Sequence, residues 1–359
     1  MDEQIAKNSV IEAGKRLAAA ELIARTWGNV SCRISASQFA VTPSGRAYDT
    51  LGAADIVTVD LRSLKHSGPN KPSSETGIHA AVYRLKPEIN FVIHTHQLNA
   101  SVVSALGQGA RDRFTCAAYG LPGSAKLRRG VERVLEKSDC NAIIMAHHGA
   151  LCLGIDMEDA FSAAMDLEKR CGEYIAALTG RPADGGAPPV MLHSGRGSEE
   201  ADVLAEAGLS YQQVPLNIVF KAIYKKRSDI EHVIFVSEDD IARASREESP
   251  IRPLLDDMAQ IVGVSLRSAE WDPEQPAKSA AAIVSALSGR HAVLVRGRGA
   301  FCCGGTRKDA EAVAMIVKKG CKAFNTAKSA GGAPPINALE CRLMRWNYLK
   351  YYSRQAEKK

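Results

Sequence analysis

The sequence predicts an α/β protein in which one domain of strands and helices is present twice. The main observation is an internal repeat, because residues 142–154, AIIMAHHGALCLG, match residues 292–304, AVLVRGRGAFCCG. Two further matches keep the same order along the chain. They are residues 79–101 with residues 220–245, and the pentapeptide GGAPP at 185–189 and 331–335. The copies lie 141 to 150 residues apart, which indicates a duplicated domain with loops of different lengths.

The elements of the first copy follow from short apolar runs and one long amphipathic segment. Residues 91–94 and 142–145 are apolar runs of the length typical of buried strands. A helix is predicted after Gly154, with Asp156 as its N-cap and Gly180 as its C-cap. Apolar residues recur along one face of this segment, so the helix is expected to pack on the sheet.

The second copy repeats the strand, turn and helix but begins later. Its long helix has Thr306 as the predicted N-cap. Nothing between 190 and 215 resembles residues 22–74, so we expect this copy to be truncated at its start. The polar, glycine-containing segment 190–200 is interpreted as the linker. The predicted domains are residues 1–190 and 200–359.

Composition and charge argue against several classes of protein. The 46 basic and 40 acidic residues among 359 give a net charge of +6, without the dense basic block that a nucleic-acid-binding arm needs. No apolar run reaches the roughly 18 residues of a membrane span, and the N-terminus lacks the apolar core of a secretion signal. The nine cysteines lack CxxC spacing, so we expect reduced thiols in a cytoplasmic protein.

Three histidines of the first copy form a candidate metal site. Residues i and i+2 of a strand lie on the same face, so His94 and His96 can bind one ion while Thr95 points to the other face. A third imidazole is available at the end of the next apolar run, from His147 or His148. Three neutral imidazoles with an open position are typical of catalytic zinc. The alternative for the HxH pattern is a pair of half-exposed surface histidines.

The second copy lacks these histidines as a set, although it keeps the apolar residues around them. Such a joint loss indicates that the histidines serve one site rather than separate packing roles. Both members of the HH pair change, so the repeat alone does not choose between His147 and His148. The replacements are Phe235 for His94, Ser237 for His96, Gly297 for His147 and Arg298 for His148.

A carboxylate and several hydroxyl groups precede the histidines. Glu75 follows Ser73 and Ser74 at a predicted helix start, where hydroxyls and free backbone N–H groups bind anions. A simple capping box is the alternative. In the second copy, Leu216 and Pro215 stand in place of Glu75 and Ser74. Further upstream, small polar residues that are also typical of hairpin turns include Asn29, Ser44 and Gly45.

Together these motifs resemble those of the class II aldolase/adducin family, which includes fuculose-1-phosphate aldolases and ribulose-5-phosphate 4-epimerases. The resemblance covers residues 5–180 through GNVSCR, TPSGRAYDTL, PSSE, VIHTH and HHG, in that order. It implies an α/β/α sandwich with a central, mainly antiparallel sheet. It also implies that Glu75 is the acid/base carboxylate. The metal ligands that it implies are His94, His96 and His148. The phosphate-binding residues that it implies are Asn29, Ser44, Gly45, Ser73 and Ser74.

The implied activity is that of a zinc-dependent aldolase, which cleaves a small phosphorylated ketose through a metal-stabilised enediolate. Epimerases, dehydratases and decarboxylases of the family use the same chemistry, and adducin-like members are binding modules without catalysis. Mn²⁺, Co²⁺ or Fe²⁺ is the alternative to Zn²⁺. Tyr119 is a candidate second catalytic group, with loop packing as its alternative role. Because family members commonly form cyclic tetramers, a dimer of two-copy chains is expected to imitate a four-fold ring.

Overall fold

The computed structural model describes residues 1–23, 27–182, 189–198, 202–205 and 216–352. The chain divides into two compact units, Met1–Ala183 and Asp184–Lys359, each with its own sheet. Residues 185–188 of the first GGAPP segment, and Pro215, lie outside the described residues. Among the described helices, none is both long enough and apolar enough to cross a membrane.

The first unit contains a seven-stranded sheet with the order β3-β2-β1-β4-β7-β6-β5. Neighbouring described strands pair antiparallel, except β5 and β6, which are parallel. The two central strands, β4 and β7, are buried along their whole length, as expected for strands covered on both faces. The strands are β1 (Asn29–Arg33), β2 (Gln38–Val41), β3 (Val57–Asp60), β4 (Phe91–Thr95), β5 (Cys116–Ala117), β6 (Ala142–Met145) and β7 (Gly149–Gly154).

Helices cover both faces of this sheet. They are α1 (Glu3–Ala19), α2 (Thr76–Leu85), α3 (Leu98–Ser104), α4 (Ala125–Leu135) and α5 (Met157–Thr179). Helices α2 and α4 share one hydrophobic core with Val92 and Leu151 of the central strands. Helix α5 contacts the same two strands but contributes no residue to that core, so it lies on the opposite face. The predicted α/β class with mainly antiparallel sheets is confirmed.

The caps predicted for the long helix are also confirmed. The carboxylate of Asp156 accepts a hydrogen bond from the backbone N–H of Asp159, and Gly180 ends the helix in the left-handed conformation with φ of 67°. In the second unit, Thr306 caps the corresponding helix through a hydrogen bond from the N–H of Asp309. Local sequence signals therefore fix the two longest helices at the same place in both copies.

In its described residues the second unit contains a six-stranded sheet with the order β11-β12-β13-β10-β8-β9, which corresponds to the order β5-β6-β7-β4-β1-β2 of the first sheet. Its strands are β8 (Val190–Gly195), β9 (Asp202–Ala205), β10 (His232–Ser237), β11 (Ser268–Ala269), β12 (Ala292–Val295) and β13 (Gly299–Gly304). Its helices are α6 (Leu216–Lys226), α7 (Asp239–Ala244), α8 (Pro276–Leu287), α9 (Arg307–Ser329) and α10 (Ala338–Asn347). Helices α6 and α8 share one core with β10 and β13, as α2 and α4 do in the first unit.

The linker predicted over 190–200 is wrong in its first half, because Val190–Gly195 is strand β8. This strand pairs antiparallel with β10, as β1 pairs with β4. The registers place Ser194 opposite Val233, just as Ser31 lies opposite Val92. The second copy therefore does contain a counterpart of β1. Sequence reasoning missed it because a short strand that ends in His-Ser-Gly and is followed by Arg-Gly has the composition of a loop.

One arginine explains why the ends of β1 and β8 are alike. Arg33 donates hydrogen bonds to the carbonyl oxygens of Tyr83, Lys86 and Ile89, at and beyond the C-terminal end of α2. Arg196 does the same at the end of α6, with the carbonyl oxygens of Tyr224, Arg227 and Ile230. Carbonyl groups at a helix C-terminus lack partners within the helix, so an arginine there stabilises the fold. Its presence in both copies indicates a structural role.

The two glycines that bound strands β7 and β13 are kept in both copies for steric reasons. A Cβ atom on Gly149 would lie 2.3 Å from the carbonyl oxygen of Thr95, and one on Gly299 would lie 2.5 Å from that of Val236. At the other end, a Cβ atom on Gly154 or Gly304 would meet a backbone nitrogen at 2.3 or 2.5 Å. The repeated sequence frame is therefore a packing requirement, separate from the histidines.

Replacement of Gly304 by alanine is expected to destabilise the protein by roughly 1–3 kcal/mol, because the added methyl group must displace backbone. The adjacent Gly305 is the matched control, since a Cβ atom there would meet only the carbonyl oxygen of Asp229, at 3.8 Å. Urea unfolding of both variants in the full chain measures the difference. Equal midpoints for Gly304→Ala and Gly305→Ala would contradict this steric explanation.

Candidate active site

The structure brings His94, His96 and His148 together. One nitrogen from each imidazole lies within 4.8 Å of the other two. His94 is the fourth residue of β4 and His96 follows its end, while His148 lies in the turn between β6 and β7. The side chain of Thr95 points to the other face, where it donates to Gln97, whose amide bonds to α5. The predicted i, i+2 geometry of this pair is therefore present.

The hydrogen bonds of His94 leave one of its nitrogens as an electron-pair donor. Nδ1 donates to the carbonyl oxygen of Ala150 at 2.8 Å, and burial lowers the pKa of this imidazole to about 3, so it is neutral near pH 7. Nε2 therefore carries a lone pair and no proton. It lies 3.2 Å from Oε2 of Glu75. A carboxylate oxygen has no hydrogen to donate, so two acceptors at this distance are favourable only beside a cation.

The donor set fits a divalent transition metal. In a tetrahedral zinc site, ligand nitrogens 2.0–2.1 Å from the ion lie roughly 3.3 Å apart. Nε2 of His94 and Nε2 of His96 are 3.1 Å apart. Three imidazole nitrogens suit Zn²⁺, Fe²⁺ or Co²⁺ better than Mg²⁺ or Ca²⁺, which prefer oxygen ligands. His94, His96 and His148 could therefore hold such an ion, with Glu75 beside it.

Glu75 lies against two of the three histidines. Its Oε1 is 2.9 Å from Nε2 of His148, and the side chain is only 5% exposed. Burial by itself raises the pKa of this carboxyl group. The contacts with His148 and with the amide of Asn29 hold it well below the ordinary value. Glu75 immediately precedes α2, and its side chain does not cap that helix. It is therefore available to a ligand or an ion at the histidines.

His147 lies outside the histidine cluster. Its ring contacts that of Tyr119 edge to face, with 5.4 Å between centroids. Its backbone has a φ of 61°, a conformation that glycine adopts more easily, and the corresponding Gly297 of the second unit has a φ of 68°. Nothing in the described geometry joins Tyr119 directly to the three histidines, so its catalytic role stays a prediction.

The structure brings the two predicted phosphate-binding loops together. The N–H of Ser73 donates to the carbonyl oxygen of Thr42, and the N–H of Ser44 donates to that of Lys71. Gly45, next to Ser44, is exposed and left-handed, with φ of 71°. Ser74 is exposed and lies near Gly123, in the loop that follows Tyr119, since a Cβ atom on Gly123 would be 3.4 Å from that of Ser74. The two loops, which carry the hydroxyl groups of Ser44, Ser73 and Ser74, thus lie side by side directly before Glu75.

Asn29 occupies a different position from these serines. Its side chain is buried, and its amide group donates to Oε2 of Glu75 at 3.0 Å. Its carbonyl oxygen accepts a hydrogen bond from His79, a residue that sequence reasoning did not assign to the site. The spacing of Glu75, His79 and Tyr83 was the available signal, because residues four apart lie on one face of a helix.

The corresponding region of the second unit is hydrophobic. Phe235 takes the place of His94, and its ring packs against Phe301 with 5.0 Å between centroids. Phe220, at the position of His79, contacts Phe301 at 5.6 Å. Among the described residues, the three histidines of the first unit form the cluster that could hold a metal ion. The described part of the second unit contains no such cluster.

The sequence profile of the Class II Aldolase and Adducin N-terminal domain matches residues 8–175 and, separately, residues 217–324. The chain belongs to the class II aldolase/adducin family. Both matches fall within the units that contain the two sheets, so the tandem copy of this domain is confirmed. The second match begins later than β8, which agrees with the weak sequence signal of that strand.

Three relatives illustrate the range of activities in the class II aldolase/adducin family. The chain is 32% identical over 177 residues to a 5-methylthioribulose-1-phosphate/5-deoxyribulose-1-phosphate aldolase of Escherichia coli, covering 46% of this chain and 81% of the relative. It is 32% identical over 165 residues to an L-fuculose phosphate aldolase of Haemophilus influenzae, covering 43% and 74%. It is 39% identical over 101 residues to a methylthioribulose-1-phosphate dehydratase of Marinobacter nauticus, covering 28% and 49%.

Proposed function

We propose that the first unit is a zinc-dependent aldolase that cleaves a small phosphorylated ketose. The observation that carries this proposal is the contact between Nε2 of His94 and Oε2 of Glu75, two electron-pair donors that favour a cation between or beside them. Two of the relatives are aldolases of sugar phosphates. The loops that carry Ser44 and Ser73 lie next to the carboxylate of Glu75, and we expect the phosphate of the substrate to bind there.

The residues of the site divide the work of an aldol cleavage. When bound at the three histidines, Zn²⁺ supplies a Lewis acid that stabilises negative charge on the substrate oxygens. Ser44, Gly45, Ser73 and Ser74 hold the phosphate, so that binding energy from the unreactive end orients the reacting end. During cleavage a hydroxyl group loses a proton and a carbon atom gains one. Glu75 can accept the proton of the hydroxyl group on a carboxylate oxygen and then donate it to the carbon atom.

A dehydratase is the second candidate, because one relative removes water from methylthioribulose 1-phosphate by name and is 39% identical over the matched segment. The same carboxylate and the same phosphate loops serve such a reaction, which differs in the bond that breaks. An epimerase or a decarboxylase would rely on the same three histidines. An adducin-like binding module does not need them, and their presence here as a set, two buried and one partly buried, favours an enzyme. The dimeric ring also stays a prediction.

A panel of phosphorylated ketoses tests the proposal. The zinc-loaded full chain is incubated with 5-methylthioribulose 1-phosphate, 5-deoxyribulose 1-phosphate, L-fuculose 1-phosphate and ribulose 5-phosphate. We expect release of an aldehyde from at least one ketose, loss of this activity with EDTA, and its return with Zn²⁺. Loss of water without an aldehyde identifies a dehydratase, and a changed stereocentre identifies an epimerase. Zinc binding without any turnover would overturn the enzymatic proposal in favour of a binding module.

A further inference from the structure

A chain of buried side chains runs behind Glu75, away from the histidines. Oε2 of Glu75 accepts a hydrogen bond from Nδ2 of Asn29 at 3.0 Å, and Oδ1 of Asn29 contacts Nε2 of His79. Nδ1 of His79 lies 2.6 Å from Oγ of Ser31, which lies 2.7 Å from the hydroxyl oxygen of Tyr83. Strand β1 supplies Asn29 and Ser31, which point to the same face. Helix α2 supplies His79 and Tyr83, and Glu75 directly precedes that helix.

Every hydrogen bond of this chain has a defined direction. An ionised carboxylate only accepts, so the amide NH₂ of Asn29 faces Glu75 and its oxygen faces His79. Nε2 of His79 must then donate. Burial lowers the pKa of this imidazole to about 4, so Nδ1 of the neutral ring accepts from the hydroxyl of Ser31. The hydroxyl oxygen of Ser31 in turn accepts from Tyr83. Each hydrogen bond is thus donated in the direction of Glu75. The last of them, from Asn29, binds Oε2 on the side away from the histidines.

The second unit shows that the fold does not require the polar members of this chain. Its strand register places Leu192 opposite Phe235, where Asn29 lies opposite His94. At the repeat offset that joins His94 to Phe235, Leu216 and Phe220 replace Glu75 and His79. The replacements are buried in the hydrophobic core of that unit. Ser194 and Tyr224 are kept, but there the tyrosine hydroxyl donates to the backbone oxygen of the serine. Asn29 and His79 are thus lost together with Glu75 and the metal-binding histidines.

We propose that His79, acting through Asn29, is a positioning residue that fixes the carboxylate of Glu75 beside the cation site. This inference rests on the proposed function in that Glu75 is taken as the proton-transferring group. The physical reason is that a carboxylate bound on one side by a rigid amide cannot rotate away from the histidines. Loss of the bond from His79 leaves Oδ1 of Asn29 buried without its donor, so the amide turns and releases Glu75.

A double-mutant cycle on zinc affinity tests the inference without any substrate. His79→Phe introduces the residue that the second unit uses at this position, and we expect it to raise the dissociation constant of Zn²⁺ about 10-fold or more. In a Glu75→Gln background, the same change is expected to have little further effect, because the carboxylate that it positions is absent. Asn29→Leu should reproduce His79→Phe, and the two together should be no worse than either alone.

Two further variants separate positioning from stability. Val82→Ala in the same helix removes fully buried methyl groups of the core, so it lowers stability while zinc affinity stays at the wild-type value. His79→Gln keeps an N–H donor and is expected to restore part of the affinity, which also covers the case that His79→Phe does not fold. The inference is overturned if His79→Phe weakens zinc binding equally in both backgrounds, if it has no effect, or if the wild type binds no zinc.

Activity gives the second measurement. With any ketose that the wild type cleaves, we expect His79→Phe to lower kcat about 10- to 100-fold while KM stays close to wild type. An unchanged kcat would overturn the inference and leave the aldolase proposal standing. The opposite result is also informative. If His79→Phe and Glu75→Gln have non-additive effects on zinc affinity but the protein turns over no ketose, the positioning role holds and the aldolase proposal fails.

Discussion

Replacement of His94 by alanine is expected to weaken zinc binding by more than about 100-fold, because even the partners of metal ligands contribute 10- to 100-fold. The imidazole is buried and its tautomer is fixed by Ala150, so it presents Nε2 to the ion without reorganisation. Elemental analysis should find about one zinc per wild-type chain and close to none in the variant. A ligand that binds only the folded state at 100 times its dissociation constant adds about 2.7 kcal/mol of stability. EDTA should therefore lower the Tm of the wild type but not that of His94→Ala.

Two histidines of the same unit are matched controls for this experiment. His66 is exposed, so His66→Ala should retain the metal. His147→Gly introduces the residue that the second unit has at this place, and it relieves a left-handed backbone. It should also retain the metal, whereas His148→Ala should not. A variant lacking His147 that loses zinc, or a His94→Ala protein that keeps it, would refute the assignment of His94, His96 and His148 as ligands.

Replacement of Glu75 by glutamine is expected to lower kcat by about 10²- to 10⁴-fold, the usual contribution of a general acid or base. Glutamine has nearly the same shape and still accepts a hydrogen bond from Asn29, but it cannot take up a proton at this position. The three imidazoles are unchanged and should still bind the metal at saturating zinc, and KM should stay near the wild-type value. Steady-state kinetics and metal analysis of the same preparation check this result.

Glu132→Gln is the control for a general loss of negative charge. Glu132 is a partly buried carboxylate of α4 that pairs with Arg84 and Arg128, and the proposed mechanism does not use it. Its replacement should leave kcat unchanged. If Glu75→Gln retained most of the wild-type kcat with zinc bound, another group would have to transfer the proton, and Tyr119 would then be the first residue to replace.

The parts of the fold that sequence predicted are those with strong local signals. Asp156, Gly180 and Thr306 cap helices as expected, because capping depends on a few neighbouring residues. Strand β8 was missed because its pairing with β10 is a long-range contact, and a run of His, Ser and Gly residues does not predict a strand. The repeat was most informative where both copies pack alike, as at Gly149 and Gly299.

The candidate site was predictable wherever residue spacing sets geometry. Two histidines at i and i+2 of an extended segment share a face, and the structure places His94 in β4 and His96 just after it accordingly. The contact between Asn29 and Glu75 was not predictable in this way, because it depends on the register between β1 and β4 and on how α2 lies across them. The spacing of His79, four residues after Glu75, is visible in the sequence. Its contact with Asn29 in β1 is not, because it depends on the fold.

The glycines at the two ends of β7 and β13 have a consequence for recognising this domain in other proteins. The glycines are required by the packing of the domain, whereas the histidine pair belongs to the candidate site. The second copy keeps the glycines and lacks the histidines. A search pattern centred on His-His-Gly would overlook half of this molecule. A pattern centred on the strand-flanking glycines and the arginine at the helix end would find both halves. It would not distinguish a copy with the histidines from a copy without them.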